Sequence, residues 1–559
     1  MRPLVMFTWW LEFKLFGQNP LVSHAINVIL YSINVLLVQA LAWFVLHEKI
    51  NKHREWFSTL AAAIYAVHPM LIESTAWISG RFDVLCTTGI LSASLVMVLP
   101  LRSSLLKTML VTIFVSISLL SKELGVMAPL VLLCVWMACN AREDLSLYAN
   151  IRHAFESNKC TWMALGLVLV VYFILRHLSM GEVYHEGLEV AHYKSLVSST
   201  MPLEALWHYI YASFLPFGEV SVYHPPSLSP GAPAFYIAGF LSILVVLVVL
   251  WKSFYRQRSW AWLLLACFAG IFLVLHFIPM TIQDNIAHDR FMTLPLAFFG
   301  IAMVCLPWEV FNSALLSRKI IISFFLAVGG WLILMTVTTV SMVGVWRSDF
   351  ILWSWTYSIH PDVASLRRQY IMAAFREGRT DLVKKEIEGV NKKYGLTMGE
   401  QSLYADLLIQ EGDREAKNYL EGMLSVFPRD SSGGIAYDKS FNRVTYPVFV
   451  AYARAKLIFD GDVEAAMKNL DAAAERVPLQ RRVDLNYARA TVFYAMNRFD
   501  DADDLVRRTE RERHPNQHLS SLRMRTDLAA YCNNQLRSAR ALPQACTKLR
   551  NSGFFHFEE

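Results

Sequence analysis

The sequence predicts an all-α protein, with a polytopic helical membrane domain over residues 1–345 and a soluble helical domain over residues 346–559. Hydrophobic residues make up 55% of the 559 residues and charged residues only 18%, whereas soluble proteins carry about 25% charge. Up to residue 345 the chain is a series of apolar runs with short polar breaks. Beyond it, charges of both signs are dense. This change in composition predicts the domain boundary.

About ten segments approach the ~20 apolar residues that a spanning helix needs. In order, they are 21–46, 56–72, 83–100, 105–120, 124–140, 161–178, 233–251, 260–279, 291–309 and 320–345. The second, fourth and fifth are short. The turns at 101–107 and 121–123 are tight, so an error at either turn would change the number of spans by two.

Lys and Arg recur in every second loop, which predicts the orientation of the spans. The basic loops follow the first, third, fifth, seventh and ninth spans, and we expect them to face the cytoplasm. The other side would hold 68–82, 121–123, 179–232, 280–290 and the C-terminal domain. Residues 1–20 would then begin on the outer side, so we expect a further span to precede them.

The C-terminal domain has helical periodicity from residue 365 onward. In LNYARATVFYAMNRFDDADDLVRRTERERHP, Ala490 and Phe493 precede a turn and Ala502 and Val506 follow it. This order matches the tetratricopeptide consensus. Such repeats usually bind a peptide or partner protein, although they could equally brace the membrane domain. The alternative is a helical bundle without repeats.

Several other classes of protein and site are excluded or disfavoured by the sequence. The basic residues are scattered and the net charge is only +6, so no nucleic-acid surface is expected. No Walker A, GxSxG or HExxH motif occurs, and the eight cysteines form no CxxC pair. Cys532 and Cys546 could form a disulfide in an oxidising compartment, or remain two buried thiols.

Charged and histidine side chains concentrate in the predicted outer segments. They are His68, Glu73, Arg81 and Asp83 in HPMLIESTAWISGRFDVL, Lys122 in LLSKELG, His224 in the long loop, and Asp289 and Arg290 in DNIAHDRF. Charged groups at a membrane boundary are costly unless paired or solvated, which favours a functional role. The structural alternatives are an Arg81–Asp83 or Arg81–Glu73 pair, a polar turn at Lys122, and an interfacial anchor at Arg290.

The first of these motifs resembles a signature of polytopic GT-C glycosyltransferases with tetratricopeptide tails. This group includes the animal transmembrane-and-tetratricopeptide O-mannosyltransferases and bacterial relatives. The opening RPLVMFTWWLEFKLFG, the LLSKE motif and Asp289-Arg290-Phe291 match the same family in order, and the resemblance covers about residues 2–345. The family's first span and acidic pair lie before RPL, so this resemblance also predicts a segment preceding residue 1.

The resemblance implies sugar transfer from a polyprenyl-phosphate donor to a protein or glycan acceptor at the outer face, by an inverting mechanism. It implies a divalent metal ion in some members and no other cofactor. The roles expected are catalytic for Glu73 and Asp83, donor-phosphate binding for Arg81, Arg290 and Lys122, and cleft-lining for His68, Asp289 and His224, with no metal ligand assigned. Asp83 and Asp289 are also expected to orient the arginines, since preorganised cations stabilise a departing phosphate.

Two other functions stay open at this stage. One is a ligase or polymerase acting on lipid-linked glycan, and the other is a non-enzymatic scaffold that recruits envelope proteins through the tail. A transporter is disfavoured, because paired broken helices are not evident. Compact loops without an N-x-S/T sequon on the outer side favour a bacterial inner membrane with the tail in the periplasm, where the tail would bind the acceptor protein.

Overall fold

The computed structural model divides into two compact units, Met1–His360 and Pro361–Glu559. It describes residues 2–17, 19–46, 53–180, 201–217, 220–225, 232–276, 285–306, 318–393, 396, 398–427, 439–477, 482–512, 518–537 and 543–551. Within these residues no β-strand occurs, and a single antiparallel bridge joins His224 to Ala287. The prediction of an all-α protein is confirmed.

Fifteen helices lie in the described part of the first unit. They are α1 (Pro3–Phe16), α2 (Pro20–Val45), α3 (Arg54–Ala66), α4 (Ile72–Ala76), α5 (Arg81–Val98), α6 (Ser104–Ser121), α7 (Ala128–Asn140), α8 (Leu147–Ser157), α9 (Lys159–Met180), α10 (Met201–Phe214), α11 (Pro233–Phe254), α12 (Ser259–Ile271), α13 (Pro295–Cys305), α14 (Arg318–Val345) and α15 (Asp349–Ile359). Short 3₁₀ turns adjoin them at Pro69–Leu71, Ile78–Gly80, Glu123–Met127, Phe272–Val274 and Asp289–Met292.

Seven helical segments are long and apolar enough to cross a membrane, among the residues described. They are Pro20–Val45, Ile78–Val98, Ser104–Ser121, Glu123–Asn140, Lys159–Ser179, Pro233–Phe254 and Ile322–Val345. Each coincides with a predicted span, and the chain is an integral membrane protein.

The other three predicted spans correspond to shorter helices: α3, α12 with its 3₁₀ extension, and α13. Helix α3 ends at Ala66 because His68 precedes Pro69 and takes an extended backbone. Helix α13 begins only at Pro295, since Asp289–Met292 form a 3₁₀ turn first. Of the about ten spans predicted, seven therefore reach full length among the described residues, and three correspond to shorter helices.

Helix α5 lies at the centre of the membrane unit, packed against α2, α6 and α7. Most of its side chains are buried, including Ile90 and Leu91. Gly89 allows α6 to approach closely, because a Cβ at this position would lie 2.6 Å from the carbonyl oxygen of Phe114. Helices α9 and α14 instead expose apolar side chains along most of their length, as helices facing lipid do.

Helix α1 folds back because Gly17 adopts a left-handed φ of 67°. Asn19 then caps α2, with its side chain accepting a hydrogen bond from the Leu21 N–H, and Pro20 occupies the first helical turn. The reversal places α1 in contact with α2, α5 and α6. As a result, polar groups of α1 can reach the start of α5.

The second unit contains ten helices in its described residues. They are α16 (Ala364–Arg376), α17 (Thr380–Lys393), α18 (Met398–Glu411), α19 (Glu415–Ser425), α20 (Lys439–Ala455), α21 (Val463–Ala474), α22 (Arg482–Ala495), α23 (Phe499–Glu512), α24 (His518–Arg537) and α25 (Gln544–Asn551). Consecutive helices pack as pairs from α16/α17 to α22/α23. The tetratricopeptide assignment stays a prediction that this pairing suits.

The α22/α23 pair shows how the sequence determines this packing. Ala490 and Ala502 are fully buried between the two helices, and Asn497 takes the left-handed φ that the intervening turn requires. Cys532 of α24 and Cys546 of α25 form a disulfide. Of the two alternatives left open for these cysteines, the structure has the covalent one.

Candidate active site

The charged segments predicted on the outer face meet at one end of the membrane unit. The backbone N–H of Arg290 donates to Glu73 at 3.0 Å, and the Lys122 ammonium lies 4.4 Å from the centroid of the Phe291 ring. The Ile286 N–H donates to the His224 carbonyl at 2.9 Å. The turns before α5, after α6 and before α13 therefore form one polar cluster together with residues 220–225.

Glu73 and Arg290 form a buried ion pair that also involves the backbone. The Glu73 carboxylate accepts from both the guanidinium and the main-chain N–H of Arg290, and His288 lies 3.7 Å away. Burial raises the pKa of Glu73, and the charge of Arg290 offsets part of this effect. The Arg290 side chain keeps 19% of its surface exposed and lies 4.9 Å from the Trp77 ring centroid. It is thus the cation at the rim of the cluster.

Asp83 pairs with Lys122 instead of with an arginine. Both side chains are buried, and Phe291 covers the ammonium. Gly125 allows the chain to pack closely against the end of α6 in this turn, because a Cβ there would lie 2.7 Å from the Leu119 nitrogen. The expectation that Asp83 orients an arginine is corrected, since it holds the second cation, Lys122.

Arg81 is completely buried and bonds to four groups at once. It pairs with Glu12 and donates to Asn27 Oδ1 at 2.8 Å, the Ser23 carbonyl at 2.9 Å and Thr8 Oγ1 at 3.3 Å. Neither of the partners considered from the sequence, Asp83 or Glu73, holds it. Groups of α1 and α2 already accept hydrogen bonds from Arg81. Its surroundings are therefore those of a residue that holds helices together and not those of a phosphate ligand.

Asp289 bonds to histidines and not to an arginine, contrary to expectation. Its Oδ1 lies 2.9 Å from His224 Nε2 and 3.7 Å from His208 Nε2. Burial alone would raise the pKa of Asp289, but the two histidines lower it below its usual range. His68, also buried, lies nearby, with its Nε2 3.3 Å from the Ser213 carbonyl.

Gly80 fixes the turn that carries Arg81. A Cβ at this position would lie 2.2 Å from the Ser74 carbonyl oxygen, a separation that no side chain could adopt without moving the backbone. The Asn27 side chain donates to the Trp77 carbonyl at 3.1 Å and to the Ile78 carbonyl at 3.3 Å. The motif WISGR therefore packs tightly against α2, which sets the positions of Glu73 and Asp83 on either side.

An apolar groove of about 460 Å³ lies between α6 and α9, beside this cluster. Leu120, Leu167 and Val171 are among its walls, and Arg176 lies at its edge. Arg176 is 3.5 Å from Glu123, which also accepts two hydrogen bonds from Arg2 at 3.1 and 3.2 Å. The apolar groove thus lies beside Arg176, which contacts Glu123, the residue that follows Lys122.

Known proteins with related sequences share one activity in their names. A protein O-mannosyl-transferase of Caenorhabditis elegans is 24% identical over 386 residues, which are 65% of this chain and 49% of that protein. The protein O-mannosyl-transferases TMTC1 of Homo sapiens and Mus musculus are each 36% identical over 84 residues, 15% of this chain and 9% and 8% of theirs. This chain is similar to protein O-mannosyl-transferases.

The resemblance identified from the motifs is confirmed by these relatives. The match covers about half the length of the nematode protein and less than a tenth of each mammalian one. No family model matches the chain, and no solved structure matches it.

Several residues of the cluster had no role predicted from the sequence. Glu12 and Asn27 hold Arg81, Arg2 and Arg176 flank Glu123, and His208 adjoins Asp289. A signal was present for Glu12, because a lone carboxylate in an apolar helix is costly and requires a partner. His208 lies in the predicted outer segment 179–232, but no role was predicted for it, and only the fold brings it to Asp289.

Proposed function

We propose that the membrane unit is a glycosyltransferase that moves a sugar from a polyprenyl-phosphate donor to a hydroxyl group of a protein. The observation that carries this proposal is the Glu73–Arg290 pair at the rim of the polar cluster. It combines a buried carboxylate with a partly exposed guanidinium, and these are the two groups that such a transfer needs. The similarity to protein O-mannosyl-transferases supports mannose as the first sugar to test.

In this mechanism Arg290 binds the donor phosphate. Its planar fork matches phosphate oxygens, and a preorganised cation stabilises the charge that develops as the glycosidic bond breaks. Lys122 adds a second positive charge from behind Phe291. Arg81 acts as a positioning residue, because its bonds to α1 and α2 fix the turn between Glu73 and Asp83.

Glu73 receives the proton of the acceptor hydroxyl as that oxygen attacks the anomeric carbon. Its raised pKa suits a general base, whose efficiency increases as its pKa approaches the working pH. When a phosphate takes up the Arg290 guanidinium, the Glu73 oxygen bonded to it becomes available to the acceptor. Attack opposite the departing phosphate would invert the anomeric configuration.

The groove between α6 and α9 suits the polyprenyl chain of the donor. Its walls are apolar, and Arg176 and Arg2 place positive charge at Glu123, at the end of the groove nearest Lys122. Since Glu123 follows Lys122 directly, this end adjoins the proposed catalytic cluster.

We place the cluster on the periplasmic face of a bacterial inner membrane. Asn27 contacts the cluster at one end of α2, whereas Trp43 accepts a 2.5 Å hydrogen bond from the basic-loop residue Arg54 at the other end. Positions 27 and 43 of one helix lie about 24 Å apart at 1.5 Å per residue, so polar and basic groups occupy opposite ends. The disulfide of the second unit suits an oxidising compartment. There its helix pairs would bind the acceptor protein.

The decisive experiment supplies full-length protein in membrane vesicles with radiolabelled polyprenyl-phosphate mannose. Label that is retained in protein after lipid extraction and released by β-elimination measures O-linked transfer. We expect Arg290→Ala to lower transfer by about 100-fold or more, the usual effect of removing one transition-state donor. Arg290→Lys should restore only part of the rate, because an ammonium cannot bind a phosphate in bidentate fashion.

Arg258→Ala is the matched control, since Arg258 pairs with Glu143 at 2.8 Å in a predicted basic loop and is 42% exposed. Unchanged transfer by Arg290→Ala would remove this residue from the site. Label appearing in lipid-linked glycan and not in protein would indicate a ligase or polymerase. No transfer from any polyprenyl-phosphate sugar would favour the scaffold.

A further inference from the structure

Three side chains from separate chain segments meet in a geometry suited to a metal ion. They are His208 on α10, His224 in residues 220–225, and Asp289 in the turn before α13. One possible donor atom of each lies within 4.8 Å of the other two. We propose that these residues bind a divalent transition-metal ion, with Zn²⁺ the expected occupant.

The distances between donor atoms support this assignment. Asp289 Oδ1 lies 2.9 Å from His224 Nε2 and 3.7 Å from His208 Nε2. Ligands about 2.0 Å from a tetrahedral Zn²⁺ lie about 3.3 Å from one another, which falls between these two values. Small rotations of the side chains would therefore bring all three groups to bonding distance.

The types of the three ligands indicate which ion would bind. Two imidazoles and one carboxylate suit Zn²⁺ and neighbouring transition metals, whereas Mg²⁺ and Ca²⁺ prefer sites made wholly of oxygen. Asp289 and His224 are buried and His208 is nearly so, which limits competition from bulk water.

Hydrogen bonds of the backbone position two of the proposed ligands, His224 and Asp289, without a metal ion. The His224 N–H donates to Asn285 Oδ1 at 2.9 Å, and its carbonyl accepts from Ile286 at 2.9 Å. This bridge ties the 220–225 segment to the chain just before Asp289. The ligand positions are thus set by the fold and not only by the Asp289–His224 hydrogen bond.

Space for a fourth ligand adjoins the site. A small cavity of about 20 Å³ has His208 and Asp289 in its lining, and about 10–15 Å³ is enough for one water molecule. Three protein ligands with one water is the pattern of zinc sites that keep an open position. The site belongs to that class and not to the closed, four-ligand structural class.

A bound ion would also influence the neighbouring site, a consequence that rests on the proposed function. Asp289 precedes Arg290 in the chain, so a metal holding Asp289 would fix the turn that presents the guanidinium. It would also add positive charge beside the place proposed for the donor phosphate. Asp289 would then act as a metal ligand and a positioning residue for Arg290.

The test measures metal directly, on the full chain purified in detergent with a tag that contains no histidine. After incubation with Zn²⁺ and gel filtration, elemental analysis should find about one equivalent of zinc per chain. His208→Gln, His224→Gln and Asp289→Asn should each weaken zinc binding by at least about 10-fold, since changes in outer-shell partners alone have effects of that size. His177→Gln, an exposed histidine on α9, is the matched control.

A cobalt experiment covers the case in which a variant folds poorly. Co²⁺-loaded wild-type protein should show visible d–d bands, and His208→Cys should add a thiolate-to-cobalt charge-transfer band that proves direct ligation. Less than about a tenth of an equivalent of zinc, or zinc binding unchanged in the three variants, would overturn the proposal, as would the absence of the charge-transfer band. Zinc bound to a chain that transfers no sugar would refute the proposed function and leave the metal site intact.

Discussion

Replacing Arg81 with alanine should destabilise the membrane unit strongly, because water cannot reach this buried position to replace the hydrogen bonds that the guanidinium donates. Its side chain is 0% exposed, and its removal leaves the Glu12 carboxylate, the Asn27 side-chain oxygen and the Ser23 carbonyl without their donor. Breaking a buried ion pair by removing one partner costs about 3–5 kcal/mol. This loss is a large fraction of the stability of an ordinary domain, which is about 5–15 kcal/mol.

A double-mutant cycle would separate the pair from its surroundings. Glu12→Ala leaves the cation unpaired, and the double variant removes both charges, so its destabilisation should be smaller than the sum of the single ones. We expect a coupling free energy on the order of 1–3 kcal/mol, as found for residues in one polar network. Arg81→Lys should rescue little, because a single ammonium cannot serve acceptors spread over two helices.

The assay is equilibrium unfolding in mixed micelles, followed by tryptophan fluorescence, with wild-type protein as the reference. Arg152→Ala is the matched control, since Arg152 and Glu156 form an exposed i,i+4 pair, 63% and 60% exposed, of a kind that contributes about 0.3–0.5 kcal/mol. If Arg81→Ala were no more destabilising than this control, or if the two single effects were simply additive, the structural role assigned to Arg81 would be refuted.

Three further predictions concern the turns around the cluster and the second unit. Gly80→Ala should destabilise the fold by about 1–3 kcal/mol, the usual effect of overpacking, because the added Cβ would clash with the Ser74 carbonyl. As the control in the same unfolding assay, Gly166→Ala should be neutral, because no atom lies within 4 Å of its added Cβ. Lys122→Met should leave Asp83 buried and unpaired, and adding Asp83→Asn should recover part of the lost melting temperature; no recovery would refute the pairing. Cys532→Ala with Cys546→Ala should lower the unfolding free energy of the second unit by about 2–4 kcal/mol, as measured by urea unfolding of the full chain in detergent, and an unchanged transition would contradict a stabilising role for the disulfide.

The helices of the membrane unit follow from the sequence because apolar runs dominate it. Where a helix is shorter than the predicted span, a local signal competes with hydropathy. The His68-Pro69 step ends α3 early, and the 3₁₀ turn before Pro295 delays α13. Hydropathy averaged over a window of residues does not register such steps, so it predicts full spans where the chain forms short helices.

The members of the polar cluster could be predicted, but their pairing could not. Glu73 and Arg290 are 217 positions apart, and Asp83 and Lys122 are 39. The sequence left Asp83 and Glu73 open as partners of Arg81. In the helix α5 that begins at Arg81, residues two positions apart point in different directions, so Asp83 reaches Lys122 and Arg81 reaches α1.

The pairing bears directly on how a phosphate could bind. Glu12, Glu73 and Asp83 already neutralise Arg81, Arg290 and Lys122 respectively, and Glu123 is shared by Arg2 and Arg176. An incoming phosphate must therefore displace a carboxylate or find additional positive charge. Arg81, Lys122 and Arg290 each have one carboxylate partner, and of these three only Arg290 is not buried. Replacing its carboxylate partner, Glu73, by a phosphate is therefore least costly.

That exchange leaves a carboxylate and a phosphate close together in a site of low dielectric, where like charges repel strongly. Two features would reduce the repulsion. Burial raises the pKa of Glu73, so the displaced carboxylate can take the acceptor's proton and become neutral. A divalent ion at the proposed His208–His224–Asp289 site would add two positive charges one residue away from Arg290. With the phosphate bound, either a neutral Glu73 or a bound divalent ion would offset the added negative charge, so we expect the proposed metal site and the Glu73–Arg290 pair to act on the same phosphate.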